Sequence, residues 1–399
     1  MYLKRAISQI IDQELSRDDN KVLLIVGQRR AGKTSELVRL QKNFPKTQYF
    51  DFEDISNRYL FSPSVKHLES LIGSKQNSRL LLLDEIQFLP KAGSILKLIH
   101  DHFANTKIVA TGSASFLMLK NIGDSLYGRY IPFNMYPLSF REMIGDADNF
   151  DFKLGKYGKL INQAAVSAQL RNVMIYGSLP EVFIEEDKKR KKMILKNYIN
   201  SLLFKDIFEI EGIRNPSVFI KLLKLLALQI SSEINPNELA QKLEISRKTV
   251  LEYINLYEKF QIIYRLNSYS NNPRREITKG FKIYFADLGI RNAVIDNFIL
   301  TENRSDTGSL FENLVMNVSM QNIEYFKLSY QMYFWRTFTK AEVDLVLVDT
   351  DLGELIPIEI KYSKTKKPSR SFFGIMRIRL NNNITSIKII YGSLYKLYF

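Results

Sequence analysis

There is no cysteine in these 399 residues, and there are only three histidines and one tryptophan. The first absence excludes disulfides, thiolate zinc sites and thiol nucleophiles together, and the scarcity of histidine (His67, His100, His102) leaves little for an imidazole metal site. Metal chemistry must then rely on oxygen ligands, which suits magnesium or manganese. No apolar run approaches the roughly 18 residues of a membrane helix. The start MYLKRAISQI is amphipathic and lacks the apolar core of a signal peptide. A cytoplasmic protein with no membrane association is the expectation. Acidic residues are also in short supply, 42 against 57 Lys and Arg, for a net charge of +15. Residues 1–150 hold 20 Lys and Arg against 16 Asp and Glu, a net of +4, which leaves +11 for the remaining 249 residues. That excess suits a polyanionic partner such as DNA, because Lys and Arg bind by neutralising phosphates. A high isoelectric point that serves only solubility is the competing explanation.

What is present is ordinary globular composition, 45% hydrophobic and 25% charged, with no internal repeat. A chain of this length is expected to form two or three domains.

The most informative stretch begins at Val22. Five apolar residues, Val22 to Val26, read as a buried strand, and Gly27, Gln28, Arg29, Arg30, Ala31, Gly32, Lys33, Thr34 then fit GxxxxGK[ST], with Ser35 opening a helical run. Glycines at both ends let the backbone curl until successive amide N–H groups face one anion, and the helix N-terminus adds positive potential. Lys33 is placed to reach β- and γ-phosphates and the Thr34 hydroxyl to ligate magnesium.

Further strands are expected at Thr47–Phe52, Arg79–Leu83 and Lys107–Ala110. The third apolar run ends in Asp84 and Glu85, a pair suited to holding magnesium and polarising an attacking water. The fourth ends in Thr111 and Ser113, either of which is a γ-phosphate sensor or an N-cap for the next helix.

The segments GQRRAGKT (27–34), LLLLDEIQ (80–87), ATGSAS (110–115), SLYGRY (125–130), YPLSFRE (136–142), YGSLPEV (176–182), KIYFADLG (282–289) and GSLFENLV (308–315) together resemble a prokaryotic AAA+ ATPase of the AAA_14 type. That family carries a C-terminal domain of unknown function and shares its core with archaeal ATPases and Orc/Cdc6-like proteins. The resemblance implies ATP as ligand with Mg2+. It implies a role for Arg129 as an arginine finger on a neighbouring subunit of a homo-oligomer, or as an internal switch; an ordinary ion-pair arginine is the alternative. Gly177 to Pro180 resembles the GxP element that closes a helical lid over nucleotide, although Gly and Pro this close also make a good turn. A basic tract, Lys188–Lys192, falls in an expected helix over 181–209, where it is a solvated face or a phosphate contact.

Residues 216–266 carry a helix-turn-helix pattern: helices over 217–230 and 237–243, a turn at 244–246, and a recognition helix over 247–254. Strands at 262–266 and 282–285 would form a wing, with Arg247, Lys248, Arg274 and Arg275 toward DNA. A winged helix used as lid or as protein contact fits the same pattern.

Beyond these, Ala341–Val348 and Leu355–Lys361 alternate as strands around a turn. Asp344 and Glu359 lie equidistant from the midpoint between Asp351 and Leu352, so a hairpin centred there sets them opposite one another, with Lys361 on the face of Glu359. The set resembles the D...ExK core of PD-(D/E)xK nucleases, in which carboxylates bind magnesium and lysine activates water. Glu312, on an expected helix over 310–320, matches the additional acid of such folds. Residues 361–380 hold seven basic and no acidic residues. Cross-strand charges placed for solubility are the plain alternative.

The expected architecture is α/β: a P-loop AAA+ domain with a parallel sheet over 1–145, a helical lid over 146–215, a winged helix over 216–290 and a restriction-endonuclease-like α/β domain over 291–399.

Overall fold

The apolar run that begins at Val22 becomes the inner strand of a five-stranded parallel sheet in the computed structural model, which describes residues 2–73, 79–113, 126–144, 163–203, 207, 213, 215–270, 280–336, 342–362 and 388–391. The strands are β1 (Val22–Gly27), β2 (Thr47–Asp51), β3 (Arg79–Asp84), β4 (Thr106–Ser113) and β5 (Tyr130–Met135), in the order β2-β3-β4-β1-β5. Every residue of β1 is buried, as expected of a strand covered on both faces. Val22, Leu24, Val26, Leu81, Leu83, Ile108 and Ala110 join one core with Leu68 and Ile72 of the helix Val65–Ile72 and with Ile95, Leu96 and Ile99 of the helix Ala92–His102. Because all pairs are parallel and in step, Gly27 lies beside Ser113 and Met135, and Asp51 beside Asp84. One edge of the sheet therefore collects the residues that end β1, β3 and β4. Open α/β sheets bind ligands at that carboxyl edge.

The chain divides into two compact units, residues 1–138 with 259–261 and residues 139–258 with 262–399. In the second, the expected helix-turn-helix is present. Helices Pro216–Leu228, Pro236–Leu243 and Arg247–Lys259 are accompanied by a three-stranded antiparallel sheet, in which β6 (Glu233–Ile234) lies between the first two helices, β7 (Ile263–Asn267) and β8 (Phe281–Phe285) follow the third, and the order is β6-β8-β7. Asn235 caps the middle helix with Pro236 in its first turn, and Ser246 accepts from the Thr249 N–H at 3.0 Å to start the helix Arg247–Lys259. Residues 271–279, including Arg274 and Arg275, lie outside the described residues, as does 363–387 of the basic C-terminal stretch.

The helix Thr307–Tyr325 is buried on most sides and leads into a four-stranded sheet of β9 (Tyr330–Arg336), β10 (Glu342–Asp349), β11 (Leu355–Lys361) and β12 (Lys388–Tyr391), in the order β12-β11-β10-β9. Asn313 of that helix exchanges bonds with both the N–H and the carbonyl of Phe285 at the end of β8, at 2.8 and 2.9 Å. The regions expected as winged helix and C-terminal domain thus pack as one body. The expected helix over 181–209 is instead two, Pro180–Ile184 and Lys188–Ser201. Asp187 starts the second by accepting from the Lys189 N–H, and that cap forces the break. No described helix is long and apolar enough to cross a membrane.

Candidate functional site

At the carboxyl edge of the parallel sheet, Gly27 leaves β1 so close to its neighbour that a Cβ would fall 2.3 Å from the Met135 carbonyl oxygen. Only glycine fits there. The loop then turns through two left-handed residues, Arg30 (φ 62°) and Gly32 (φ 107°), before the helix Lys33–Asn43 begins. Ala31 and Lys33 are buried, whereas Thr34 and Ser35 at the helix start are exposed. The Lys33 ammonium donates to the carbonyls of Gly27 and Gln28, at 3.2 and 3.4 Å, and so spans the loop it belongs to. Gln28 is 2% exposed, and neither its amide nitrogen nor its amide oxygen has a partner among the described residues. A buried amide left unpaired costs on the order of 1–3 kcal/mol. That cost is tolerable where a ligand completes the bonding.

Beside this loop, Asp84 ends β3 in a buried position. Its carboxylate is held by two neutral hydroxyls, those of Thr111, in close contact, and of Tyr49, at 2.9 Å. Burial and the charge of Asp84 both push the Tyr49 phenol up from its ordinary value. Glu85 follows in a left-handed conformation (φ 52°), rare for a side chain this size, which turns it out of the strand. Its N–H donates to Thr111 Oγ1 at 3.0 Å and its carboxylate accepts from the Gln87 amide. Thr111 therefore ties both acids together from inside β4, so it is not a helix N-cap. Ser113 ends the same strand next to Gly27; its side chain lies outside the described ones. Oxygen donors at Thr34 and Asp84, with an unsatisfied amide at Gln28, fit a magnesium–nucleotide ligand.

Arg129 is not brought to this edge. Its carbonyl accepts from the Val22 N–H, which places it at the opposite end of β1 from the loop. Its guanidinium pairs with Asp101 at 2.8 Å and, together with His100, holds that carboxyl down to about 2. Within one chain it cannot act on a phosphate bound at Gly27 to Thr34.

In the second unit, Gly177 is left-handed (φ 73°) and a Cβ there would overlap Asp287 Oδ1 at 2.0 Å. The buried Asp287 carboxylate accepts from the Ser178 N–H at 2.6 Å and from the Ile290 N–H at 3.0 Å. It thereby caps the helix Leu288–Val294 and clasps the Gly177–Pro180 turn in one step. Burial pushes its pKa up, against those donated bonds. The sequence carried this pair only as two separate motifs.

The C-terminal acids also come together. The β10–β11 register runs from Val348 opposite Leu355 to Leu345 opposite Ile358, and one more step sets Asp344 opposite Glu359. Lys361 lies 2.5 Å from Glu359 and 3.9 Å from Asp344, which also accepts from the Ile360 N–H. Glu312 lies near Asp344 but is bonded by residues of β8. It accepts from the Tyr284 hydroxyl at 2.7 Å and pairs at 3.1 Å with Lys282, a fully buried lysine on β8 that also meets Glu342 at 2.5 Å. Burial, with Glu312 close by, pushes Asp344 up to about 7. Among the described residues no three Asp, Glu or His side chains are grouped as ligands for a metal ion. The expected set of Glu312, Asp344 and Glu359 does not fit a metal as it stands, because lysines and a tyrosine already satisfy it. Nothing in the local sequence signals Lys282, which is 30 residues from Glu312.

The three parts of the chain match three family profiles. Residues 19–144 match an AAA domain (AAA_14), 167–300 a domain of unknown function (DUF8612) and 307–392 another (DUF4143). An uncharacterized protein of Methanocaldococcus jannaschii is 29% identical over 311 residues, 76% of this chain and 67% of that one. An uncharacterized protein of Haemophilus influenzae is 24% identical over 363 residues, 87% of this chain and 84% of that one. Among solved structures, a Walker-type ATPase of Pyrococcus abyssi aligns over 73% of this chain and 96% of its own at 16% identity, with a TM-score of 0.48. The chain thus carries an AAA domain of the AAA_14 type at its N-terminal side and a DUF4143 region at its C-terminal side.

Proposed function

We propose that the chain binds and hydrolyses ATP with magnesium and couples its nucleotide state to DNA binding or processing. The observation that carries the reading is the meeting of three elements on one sheet edge: the loop Gly27–Thr34, the acids Asp84 and Glu85, and the Thr111 hydroxyl between them. Backbone N–H groups of residues 27–32, with Lys33, bind the phosphates; Thr34 and Asp84 hold the magnesium, which supplies neutralisation of the charge that develops on them. Glu85 orients water for in-line attack, and Thr111 keeps Glu85 in place while Ser113 serves as the sensor. Pro180 belongs to the lid, and Arg129 acts in trans within a homo-oligomer. Glu85→Gln is expected to retain nucleotide binding and lose hydrolysis by at least about a hundredfold; hydrolysis by that variant at the unmodified rate would end the assignment.

Coupling to DNA draws support from the net +11 beyond residue 150 and from the exposed Arg247 and Lys248 at the start of the recognition helix. A gel-shift series on duplex, single-stranded and branched DNA, with and without ATP, tests it. Binding that weakens steeply with salt is expected. A second reading, a nucleotide-driven switch that binds a protein partner through a non-cleaving C-terminal domain, is favoured by the engagement of Glu312 with Lys282. Magnesium-dependent nicking of plasmid DNA that disappears in Asp344→Ala would exclude it.

A further inference from the structure

We infer that Arg5, far from the motifs in sequence, is the positioning residue that sets the phosphate loop; the inference rests on the nucleotide reading above. Arg5 precedes the helix Ala6–Leu15 and is 3% exposed. Its guanidinium donates to the Ala31 carbonyl at 2.6 Å with one terminal nitrogen, and to the carbonyls of Tyr136 at 2.6 Å and Pro137 at 3.4 Å with the other. It thus bridges the phosphate loop to the segment that leaves β5.

The chemistry of such a loop gives this bridge its function. A loop that binds an anion turns its N–H groups toward the ligand, and each trans peptide then sends its carbonyl the other way. No described peptide bond here is cis. The Ala31 carbonyl points at Arg5, so the Gly32 N–H of the same peptide unit points away from it. Arg5 takes up a carbonyl that the loop must turn outward, and its planar fork fixes the orientation of that peptide relative to β5. The other wall of the loop is fixed on the same strand, since Gly27 is pressed against Met135. The loop is therefore held at both ends by the exit of β5, once through the missing Cβ of Gly27 and once through Arg5. A single ammonium reaches the same carbonyls less completely, which makes lysine an informative substitute.

The helix that follows Arg5 has a second attachment, and it serves as a control. Ser8 and Tyr2 both donate to the buried Glu36, at 2.8 and 2.7 Å, and Arg39 joins Glu36 to Asp12. These bonds anchor the helix without touching a loop carbonyl.

The test is a titration of fluorescent mant-ADP and mant-ATP into the full chain and into R5M, R5K, S8A and K33A, with melting temperatures recorded for each. R5M is expected to weaken both nucleotides at least about tenfold, with R5K between it and the unmodified protein. S8A is expected to lower the melting temperature and leave both affinities within about twofold. If R5M does not fold, R5K carries the comparison. The inference is overturned if the Arg5 variants bind as the unmodified protein does, or if S8A weakens binding as much as an Arg5 variant of equal melting temperature. If the unmodified protein fails to bind either nucleotide, or K33A binds equally well, it is the nucleotide reading that falls.

Discussion

Two groups of acids in this molecule, one at the end of β3 and the other on the helix Thr307–Tyr325 with β10 and β11, are balanced in opposite ways. Asp84 is held by the hydroxyls of Thr111 and Tyr49, and among the described residues no lysine or arginine pairs with it. Neutral donors orient a carboxylate without cancelling its charge, so the charge stays available to a cation brought by a ligand. Glu312, Glu342, Asp344 and Glu359 share Lys282 and Lys361, and there the protein supplies the cation itself. The same residue types thus leave a charge uncompensated at the sheet edge of one unit and form a closed ion cluster in the other. What distinguishes them is the partner.

If that difference is real, removing an acid and removing a lysine will have effects of different kinds. Asp84→Asn is expected to cost at least about a hundredfold in ATP hydrolysis, with a small change in melting temperature, since the asparagine oxygen still accepts from Thr111 while its NH2 group can donate to the Tyr49 hydroxyl. A variant that hydrolyses ATP normally breaks the comparison at its first term. Lys282→Met is expected to destabilise the fold by about 3–5 kcal/mol, the cost of leaving buried carboxylates without their cation. Urea unfolding measures it, and a loss below about 1 kcal/mol would mean that the cluster is not closed by this lysine.

Asp306 extends the comparison to pH. It pairs with Arg291 at 2.6 Å and Arg304 at 2.7 Å, and although burial opposes ionisation, these two arginines hold its carboxyl down to about 2. A folded pKa below the unfolded one stabilises the fold above about pH 4, and that stabilisation is lost as pH falls toward 2. The contribution is about 1–2 kcal/mol after allowance for partial exposure. Unfolding curves at pH 5 and pH 2.5 for the protein and for Asp306→Asn should differ at the first pH and differ less at the second.

The parts legible in the sequence are those with local signatures. Strand β1 was readable because an apolar run stops at a glycine, and the β10–β11 pairing because alternation and turn residues fix a hairpin register on their own. The helix-turn-helix announced itself through two short helical runs on either side of the turn at 244–246. Strand β5 did not, since Pro132 and Asn134 interrupt its alternation and its parallel partner lies more than a hundred residues earlier. Partners joined across the chain were also illegible: Lys282 with Glu312, Asp287 with the turn at Gly177, Arg5 with Ala31. Each is a pair of ordinary residues whose meaning is created by folding.

The clasp between Asp287 and Ser178 closes a segment of 109 residues. Bringing ends that far apart in sequence together costs loop entropy before any bond repays it, so the turn at Gly177 is completed late, after strand β8 has delivered Asp287. A ribosome releasing this chain would hold the helices of 163–201 without their clasp until residue 287 had been made. Stopping synthesis anywhere between these two residues would leave that turn open, which gives the second unit a single folding deadline set by residue 287.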